Sequence, residues 1–182
     1  MRRLRLVALL LGLVALLAVP APVTTALDSV LPEVEAFEQT LLDCTRSGGW
    51  VQADGSCDKV DAAARIPARQ RFAVSARISD DLSRPYARRL AKAGYLSHNL
   101  GGDIHARFRQ IGMRRGDVGE NIGFAGGMEP KDAVLRIHRM FQAEWSYRGP
   151  HWKNLTDRRF TKVGIGVWQR GEHTYLVLDF HS

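Results

Sequence analysis

The sequence predicts an α+β fold in which helices come first and strands come last. Apolar residues recur at helical spacing from residue 28 to about residue 144. Two runs of strand character, 160–168 and 175–180, close the chain with a turn between them. Because helices precede strands instead of alternating with them, the pattern favours an α+β sandwich over a doubly wound sheet. The length of 182 residues suits one domain with a proper core.

The first 26 residues have the layout of a secretory signal peptide. Three arginines within the first five residues precede an apolar run over 6–19, and small residues follow up to Ala26. A transmembrane span needs about 20 apolar residues, so a retained N-terminal anchor is the less favoured alternative. The sequence therefore predicts a secreted protein whose domain occupies residues 28–182.

Removal of this segment lowers the formal net charge. The charge falls from +7 to +4, because residues 1–26 hold three arginines and no acidic residue. A modest positive charge suits association with anionic envelopes or polymers. Zinc-finger spacing and the interleaved aromatic and basic residues of RNA-binding modules are both missing from the sequence. We therefore expect a monomer with no nucleic-acid partner.

The chain contains two cysteines, Cys44 and Cys57, a short loop apart. In an exported protein the simplest interpretation is one disulfide, which would contribute about 3 kcal/mol in the chain-entropy model. A metal site built on the two thiols is the alternative, but no further ligand lies at a suitable spacing. Residues 45–70 are then a disulfide loop followed by a surface connection.

Two helices are predicted in the first half of the chain. The first covers 28–44 and carries three glutamates toward its positive N-terminal end. The second covers 72–94, with one apolar stripe at a spacing of four residues and a favoured stop at Gly94. Pro85 predicts a kink or a break into two helices. The arginines of this segment are interpreted as a solvated basic face, with a ligand-binding patch as the alternative.

The segments that follow carry the first candidate functional residues. His98 comes just after a helix end, where a side chain can be aimed into a cleft, and Asp103 can cap a short helix over 103–111. The next helix starts at Pro130, and its apolar stripe continues to Glu144. A carboxylate in that core-facing position needs a cation or hydrogen-bond donors to stay ionised. The alternative is that Glu144 lies one turn past the buried region and meets solvent.

The last third of the chain contains the predicted strands. Gly149 and Pro150 break the preceding helix, and His151 follows directly at the start of a polar loop over 152–159. The two closing strands form an antiparallel hairpin whose near-continuous apolar content predicts cover on both faces. Two glycines inside the first of these strands predict close approach by a neighbouring backbone or by a ligand.

Four polar residues are the candidates for a functional site: His98, Glu120, Glu144 and His151. The sequence has no G-x-S-x-G elbow, phosphate loop, dinucleotide fingerprint or H-E-x-x-H helix. Imidazole nitrogens bind Zn²⁺, and a carboxylate can be a ligand or can orient a histidine. Metal-bound water would allow hydrolysis, and a metal-free histidine–glutamate pair could transfer protons near neutral pH. Spacing alone does not distinguish these residues from structural or surface ones.

Four motifs, in this order, resemble the bacterial branch of the CAP superfamily. That superfamily takes in cysteine-rich secretory proteins, antigen 5 and pathogenesis-related proteins, and its domain is also called the SCP-like extracellular domain. The motifs are Ser97-His98, Gly119-Glu120-Asn121-Ile122, Gly149-Pro150-His151-x-x-Asn154-Leu155 and Phe160-Thr161-x-Val163-Gly164-Ile165-Gly166-Val167. The match covers residues from about 35 to 182. Departures are Phe141 where tryptophan is common, Trp152-Lys153 in place of a basic pair, and the atypical loop over 45–70.

The resemblance implies a three-layer α-β-α sandwich with a central antiparallel sheet and a cleft. It assigns His98 and His151 as cleft histidines able to hold a divalent cation such as zinc. Glu120 and Glu144 become the cleft carboxylates and the candidate catalytic residues. Family members are associated with lipid or sterol binding, with polysaccharide or cell-wall association, and occasionally with proteolysis.

Because a fold does not imply a function, these associations give expectations of different kinds. We expect a secreted binding module for an extracellular lipid, glycan or cell-envelope ligand. A metal-dependent, peptidase-like hydrolase that uses the same cleft is the first alternative. A purely structural envelope protein is the second alternative.

Overall fold

A computed structural model describes residues 28–59 and 68–182, and the expected signal peptide over 1–26 lies outside the described residues. The elements follow one another along the chain in a fixed order. They are β1 Ser29–Val30, α1 Pro32–Arg46, β2 Trp50–Val51, β3 Cys57–Asp58, β4 Ala73–Val74, α2 Ala76–Ile78, a π-helical turn Ser79–Ser83, α3 Arg84–Ala93, α4 Ile104–Gln110, β5 Val118–Gly126, α5 Pro130–Ala143, a 3₁₀ turn Glu144–Tyr147, α6 Pro150–Thr156, β6 Lys162–Arg170 and β7 His173–His181.

The central sheet has the strand order β1-β6-β7-β5, and β4 pairs with β6 in parallel. The strands β6 and β7 form the antiparallel hairpin that the sequence predicts, with Val163 opposite Phe180. Strand β5 pairs antiparallel with the other side of β7, with Glu120 opposite Asp179. It therefore forms one edge of the sheet.

Helices cover both faces of this sheet. One face packs apolar side chains of β6 and β7 against α1, α5 and α6, in a cluster that includes Leu41, Ile137 and Leu178. The other face packs against α3 through Tyr86 and Leu90. The architecture is the α-β-α sandwich with a largely antiparallel central sheet, so the predicted fold class is confirmed. Within the two described ranges, no helix is long and apolar enough to cross a membrane.

The disulfide between Cys44 and Cys57 is confirmed, with an S–S distance of 2.07 Å. It joins the last turn of α1 to the small β2–β3 ribbon. Gly49 leaves room for it, since a Cβ there would lie 2.5 Å from the Cys57 sulfur. Of the expected connection after the loop, residues 60–67 lie outside the described part of the chain.

Three expectations about local structure were wrong. The first helix begins at Pro32 instead of residue 28, because Ser29–Val30 pairs with β6 as a short strand. The segment 72–94 is not one helix kinked at Pro85, since it holds β4, α2, the π-helical turn and α3. The expected polar loop over 152–159 contains most of α6, which begins at Pro150. A proline in the first turn of a helix starts it as readily as it ends the previous one.

Candidate functional site

The first candidate pair joins His98 to Glu120. The Nδ1 atom of His98 lies 2.6 Å from Oε1 of Glu120, and the side chains are 55% and 3% exposed, so a buried carboxylate holds a surface imidazole. The loop that carries His98 is fixed by the hydroxyl of Tyr86 on α3. This hydroxyl donates to the carbonyl of Ser97 at 2.5 Å and accepts from the N–H of Leu100 at 3.1 Å.

Arg107 completes this half of the site, although the sequence analysis did not single it out. Its Nη1 lies 2.6 Å from Oε2 of Glu120, and Nη2 donates to the carbonyl of His98 at 3.0 Å. The guanidinium also lies 3.6 Å from the centre of the Tyr86 ring. Both oxygens of Glu120 are therefore engaged by cationic or hydrogen-bonding groups. Helical spacing could have revealed Arg107, since it lies one turn after Ile104 on the inner face of α4.

Asp179 lies opposite Glu120 on β7 and is fully buried. Burial first, and then the charge of Glu120, raise the pKa of Asp179 well above its usual range, while Ser83 and Arg107 oppose this rise. The Ser83 hydroxyl donates to Oδ2 of Asp179 at 2.7 Å, and the two carboxyl groups are hydrogen-bonded to each other. A protonated Asp179 can donate this bond to Glu120, which leaves one negative charge to balance Arg107.

The second candidate pair joins His151 to Glu144. Nδ1 of His151 lies 2.6 Å from Oε1 of Glu144, and the backbone N–H of His151 donates to Oε2 at 2.9 Å. The Glu144 carboxylate thus faces the first turn of α6, a favourable place for a negative charge. Phe141 stacks on the imidazole at 4.6 Å between ring centres. Gly149 leaves room for the carboxylate, because a Cβ there would lie 2.3 Å from Oε2.

Glu144 is held in its ionised form by these contacts. Burial alone would raise the pKa of Glu144, but the hydrogen bond and charge of His151 oppose it. Hydrogen bonds from the backbone of His151 and Trp152 add to that effect, and the net pKa is lowered. Glu144 therefore has the partners that its place in the apolar stripe requires, and its side chain is 14% exposed.

Two asparagines connect the pairs across β5. The side-chain amide of Asn121 donates to the carbonyl of His151 at 3.1 Å. Asn154 on α6 donates to Oδ1 of Asn121 at 2.9 Å and to the carbonyl of Glu120 at 3.1 Å. Glu120 and Asn121 are neighbours on a strand and face opposite sides of the sheet. The four predicted site residues are thus brought together as two pairs that flank the edge strand β5.

The donor atoms of the two pairs suit a divalent cation. Each imidazole turns Nδ1 toward a carboxylate, which leaves Nε2 without a hydrogen-bond partner among the described residues. Metal-binding histidines usually have this arrangement, since the carboxylate fixes the tautomer and the ring orientation. No group of three or more His, Cys, Asp or Glu side chains in the described ranges could hold a metal ion. A cation would therefore have two protein ligands, His98 and His151, and would need water or ligand atoms for the rest.

A cavity of about 440 Å³ adjoins the second pair, and we call it the apolar groove. It runs along the outer part of β5 beside α5. Its lining residues are Leu96, Ile122, Gly123, Phe124, Ile137, Met140, Phe141, Ala143, Glu144, Tyr147 and His151.

A third histidine–glutamate pair lies between α1 and α5, away from the cleft. Nδ1 of His138 is 2.8 Å from Oε1 of Glu38, and its Nε2 is 3.0 Å from the hydroxyl of Thr45. Burial raises the pKa of Glu38, and His138 partly opposes this rise. The order Thr–His–Glu is that of a catalytic triad, but His138 and Glu38 are both 0% exposed. This cluster therefore joins two helices and does not meet a substrate.

Comparison of the sequence with protein-family models and with curated proteins finds no match. The structure, in contrast, resembles solved structures. An extracellular protein containing an SCP domain from Bacillus anthracis is 20% identical, with a TM-score of 0.47 over 63% of this chain and 34% of that one. NaASP2 with Zn²⁺ is 17% identical, with a TM-score of 0.48 over 87% of this chain and 82% of that one.

Na-ASP-1 is 14% identical, with a TM-score of 0.51 over 88% of this chain and 41% of that one. The present chain thus spans about a third of the Bacillus protein and about two fifths of Na-ASP-1. At these identities the likeness concerns the fold alone. The chain has a CAP-like fold, as the four sequence motifs predict.

Proposed function

We propose that the chain is a secreted CAP-domain protein whose two cleft histidines hold a divalent cation. In this proposal it is an extracellular binding module for a lipid, glycan or cell-envelope ligand. One observation carries the proposal. His98 and His151 each direct Nδ1 to a carboxylate 2.6 Å away, which orients the ring and leaves Nε2 for a metal.

The state of the two carboxylates favours binding over catalysis. Glu120 uses one oxygen for His98 and the other for Arg107. Glu144 uses one oxygen for the ring of His151 and the other for its backbone N–H. A general base must have an oxygen free to accept a proton from a reactant or a water. Both acids are instead suited to holding their histidines in place.

The charge of the protein supports an anionic or oxygen-rich ligand. Without residues 1–26 the formal charge is +4, which favours association with anionic envelope polymers or lipid head groups. A divalent cation at the histidines would add a positive centre that oxygen atoms of such a ligand can coordinate. His98 is more than half exposed, so a large ligand can reach it without opening of the fold.

Calorimetric titration of zinc into the purified protein tests the cation site. We expect one site with micromolar or tighter affinity that is lost in both His98→Ala and His151→Ala. His105→Ala is the matched control, because His105 is an exposed histidine on α4, and it should bind zinc like the unmodified protein. Absence of binding at micromolar zinc and pH 7.5, or unchanged binding in either cleft variant, would refute the site.

Sedimentation assays test the ligand class. Vesicles of phosphatidylglycerol, vesicles of phosphatidylcholine and insoluble cell-wall material are mixed with the zinc-loaded protein. We expect cosedimentation with at least one anionic target, reduced by high salt and by His98→Ala. Equal partitioning to phosphatidylcholine and to the anionic targets would contradict the electrostatic part of the proposal.

A metal-dependent hydrolase that uses the same cleft is the second candidate. It is favoured by the presence of a carboxylate directly beside each candidate metal ligand, where an acid–base group would be needed. Peptide, ester and glycan substrates should then be turned over, and Glu120→Gln should abolish turnover while thermal unfolding stays cooperative. Turnover that is unchanged in this variant would remove Glu120 from such a mechanism.

A further inference from the structure

The edge strand β5 is only partly covered. Strand β7 pairs with one side of it, and the described residues place no strand on the other side. At the start of this free side, Asn154 on α6 donates to the carbonyl of Glu120. From Ile122 to Gly126, the outward-directed main-chain groups have no hydrogen-bond partner among the described residues.

The pairing with β7 determines which main-chain groups point outward. Just beyond the two ends of β5, Ser182 donates to the carbonyl of Asp117, and Gly127 donates to the carbonyl of Glu172. In an antiparallel ladder hydrogen-bonded positions alternate, so odd-numbered residues of β5 bond to β7 and even-numbered ones face away. The N–H and C=O groups of Ile122 and Phe124 therefore point to the outside of the sheet.

These free main-chain groups adjoin the apolar groove, whose lining includes both Ile122 and Phe124. Six large hydrophobic residues in the described ranges are exposed, and four of them line this groove. They are Leu96, Phe124, Met140 and Tyr147, with 36% to 68% of their surface exposed. Exposed apolar residues that gather in one place mark a surface that a partner covers.

The charge of the groove restricts the partner. Glu144 is ionised because its pKa is lowered, and none of the lining residues is a lysine or an arginine. A fatty-acid carboxylate or a phosphate head group would therefore be repelled from this part of the surface. A neutral or basic partner is favoured.

We propose that the apolar groove and the free edge of β5 bind an extended peptide segment of another protein. The segment would add to the sheet as a further strand, through hydrogen bonds to the N–H and C=O groups of Ile122 and Phe124. Its alternate side chains would be apolar and would lie in the groove. An acyl chain could fill the same space but could not satisfy the main-chain groups, whereas addition of a strand satisfies both.

This inference goes beyond the proposed cation site and does not depend on it. The pairing uses residues 122 to 126, whereas the histidines lie beside Glu120 and Asn121. Loss of zinc binding and loss of peptide binding are therefore separate results. The purified protein with His98→Ala should keep its peptide affinity.

Selection from a phage-displayed library of random dodecapeptides gives the first test. The groove variant is Met140→Asp, which changes a side chain that is 59% exposed, so the fold is not at risk. Its control is Val74→Asp on β4, another exposed apolar residue, which lies outside the groove. We expect enriched peptides with apolar residues at alternate positions. Their affinity should fall at least about tenfold in the groove variant and stay unchanged in the control.

The pairing itself is tested on the tightest enriched peptide. Methylation of its amide nitrogens along one edge should abolish binding, and methylation along the other edge should leave it intact, because only one edge can pair with β5. Saturation with the unmodified peptide should slow the hydrogen exchange of the Ile122 and Phe124 amides at least about tenfold, since hydrogen-bonded amides exchange only on opening.

Three results would overturn the proposal. The first is a selection that enriches no peptide dependent on Met140. The second is a bound peptide that is insensitive to methylation along either edge or leaves the Ile122 and Phe124 amides unprotected. The third is displacement of the peptide by micromolar palmitate, which would identify the groove as an acyl-chain site.

Discussion

At the scale of single residues, the candidate site depends on buried carboxyl groups that lie beside cations. Arg107 is 2% exposed and contacts Glu120, the backbone of His98 and the ring of Tyr86. A buried guanidinium is stable only where its charge is matched and its donors are used. The position of His98 is therefore fixed by an ion pair below it as well as by its own bond to Glu120.

Asp179→Asn should change the pH dependence of stability. The folded-state pKa of Asp179 is raised, so its contribution to the free energy of unfolding is fully present below the unfolded pKa of about 4. That contribution is lost as the pH rises through the folded pKa. Asparagine resembles the protonated acid and does not titrate, so the variant should gain stability relative to the unmodified protein from about pH 4 upward.

Urea unfolding of both proteins between pH 4 and pH 8 measures this difference. Asp132→Asn is the matched control, because Asp132 is an exposed aspartate on α5. A difference between Asp179→Asn and the unmodified protein that is constant over this range would show that Asp179 does not hold a raised pKa.

The residues of the site were predictable from the sequence to different degrees. His98, Glu120, Glu144 and His151 were found from motifs, and the helical phase of Glu144 gave independent support. Asp179 was not, because it lies in a strand whose apolar residues dominate the local pattern. Its environment comes from Glu120 and Ser83, which are distant in sequence, and one-dimensional periodicity carries no information about such pairs.

At the scale of secondary-structure elements, two glycines of β6 allow a close approach of the π-helical turn. A Cβ on Gly164 would lie 2.5 Å from the Ser83 hydroxyl oxygen, and one on Gly166 would lie 2.3 Å from the Ser83 carbonyl carbon. The expectation that these glycines mark a close neighbour is confirmed. The approach also places the Ser83 hydroxyl on Asp179.

Gly166→Ala should destabilise the fold by about 1–3 kcal/mol or more, because the added methyl group meets backbone atoms that cannot move independently. Gly171→Ala is the control for glycine replacement. It lies in the β6–β7 turn at φ +59° with no atom within 4 Å of the added Cβ, and should cost only about 1 kcal/mol. Thermal unfolding measures both, and equal costs would contradict the packing argument.

The buried cluster between α1 and α5 should be among the most sensitive contacts in the molecule. His138→Ala leaves Glu38 buried without its main partner and should cost about 3–5 kcal/mol. Replacement of the exposed His105 by alanine should stay within about 0.5 kcal/mol. Denaturant unfolding compares the two variants, and a cost of under 1 kcal/mol for His138→Ala would show that the pair contributes little.

Elements were predictable where the periodicity extended over several turns or pleats. The helix after Pro130 and the closing hairpin are of this kind, whereas α6 and β5 are not. Helix α6 has only seven residues, and polar side chains hide its two buried residues, Trp152 and Leu155. Strand β5 contains three glycines and two polar residues, and it is a strand because β7 offers it a partner. Pairing of this kind is a tertiary effect that overrides local propensity.

At the scale of the whole molecule, the three layers meet at the edge strand β5. The α3–α4 layer contributes Arg107 and the loop with His98, and the α5–α6 layer contributes Glu144 and His151. This arrangement explains why four residues spread over more than 50 positions can serve one site. The order of the motifs predicted the three layers, but the division into two flanking pairs depends on the sheet order.

The disulfide should contribute a measurable share of global stability. The two cysteines are 13 residues apart, so removal of the bridge in Cys44→Ser with Cys57→Ser should cost about 3 kcal/mol. Zinc affinity should stay unchanged, because the bridge lies beyond α1 and away from the cleft. Loss of zinc binding in a variant that still folds would contradict this separation of scaffold and site.

The central claim is that His98 and His151 hold one divalent cation over the edge of β5. A crystal soaked with zinc and measured at the zinc absorption edge tests it most directly. The account predicts one strong anomalous peak within about 2.0–2.1 Å of Nε2 of both His98 and His151, with the Glu120 and Glu144 contacts to Nδ1 retained. A peak on only one of the two rings, or no peak between them at full occupancy elsewhere, would contradict the claim.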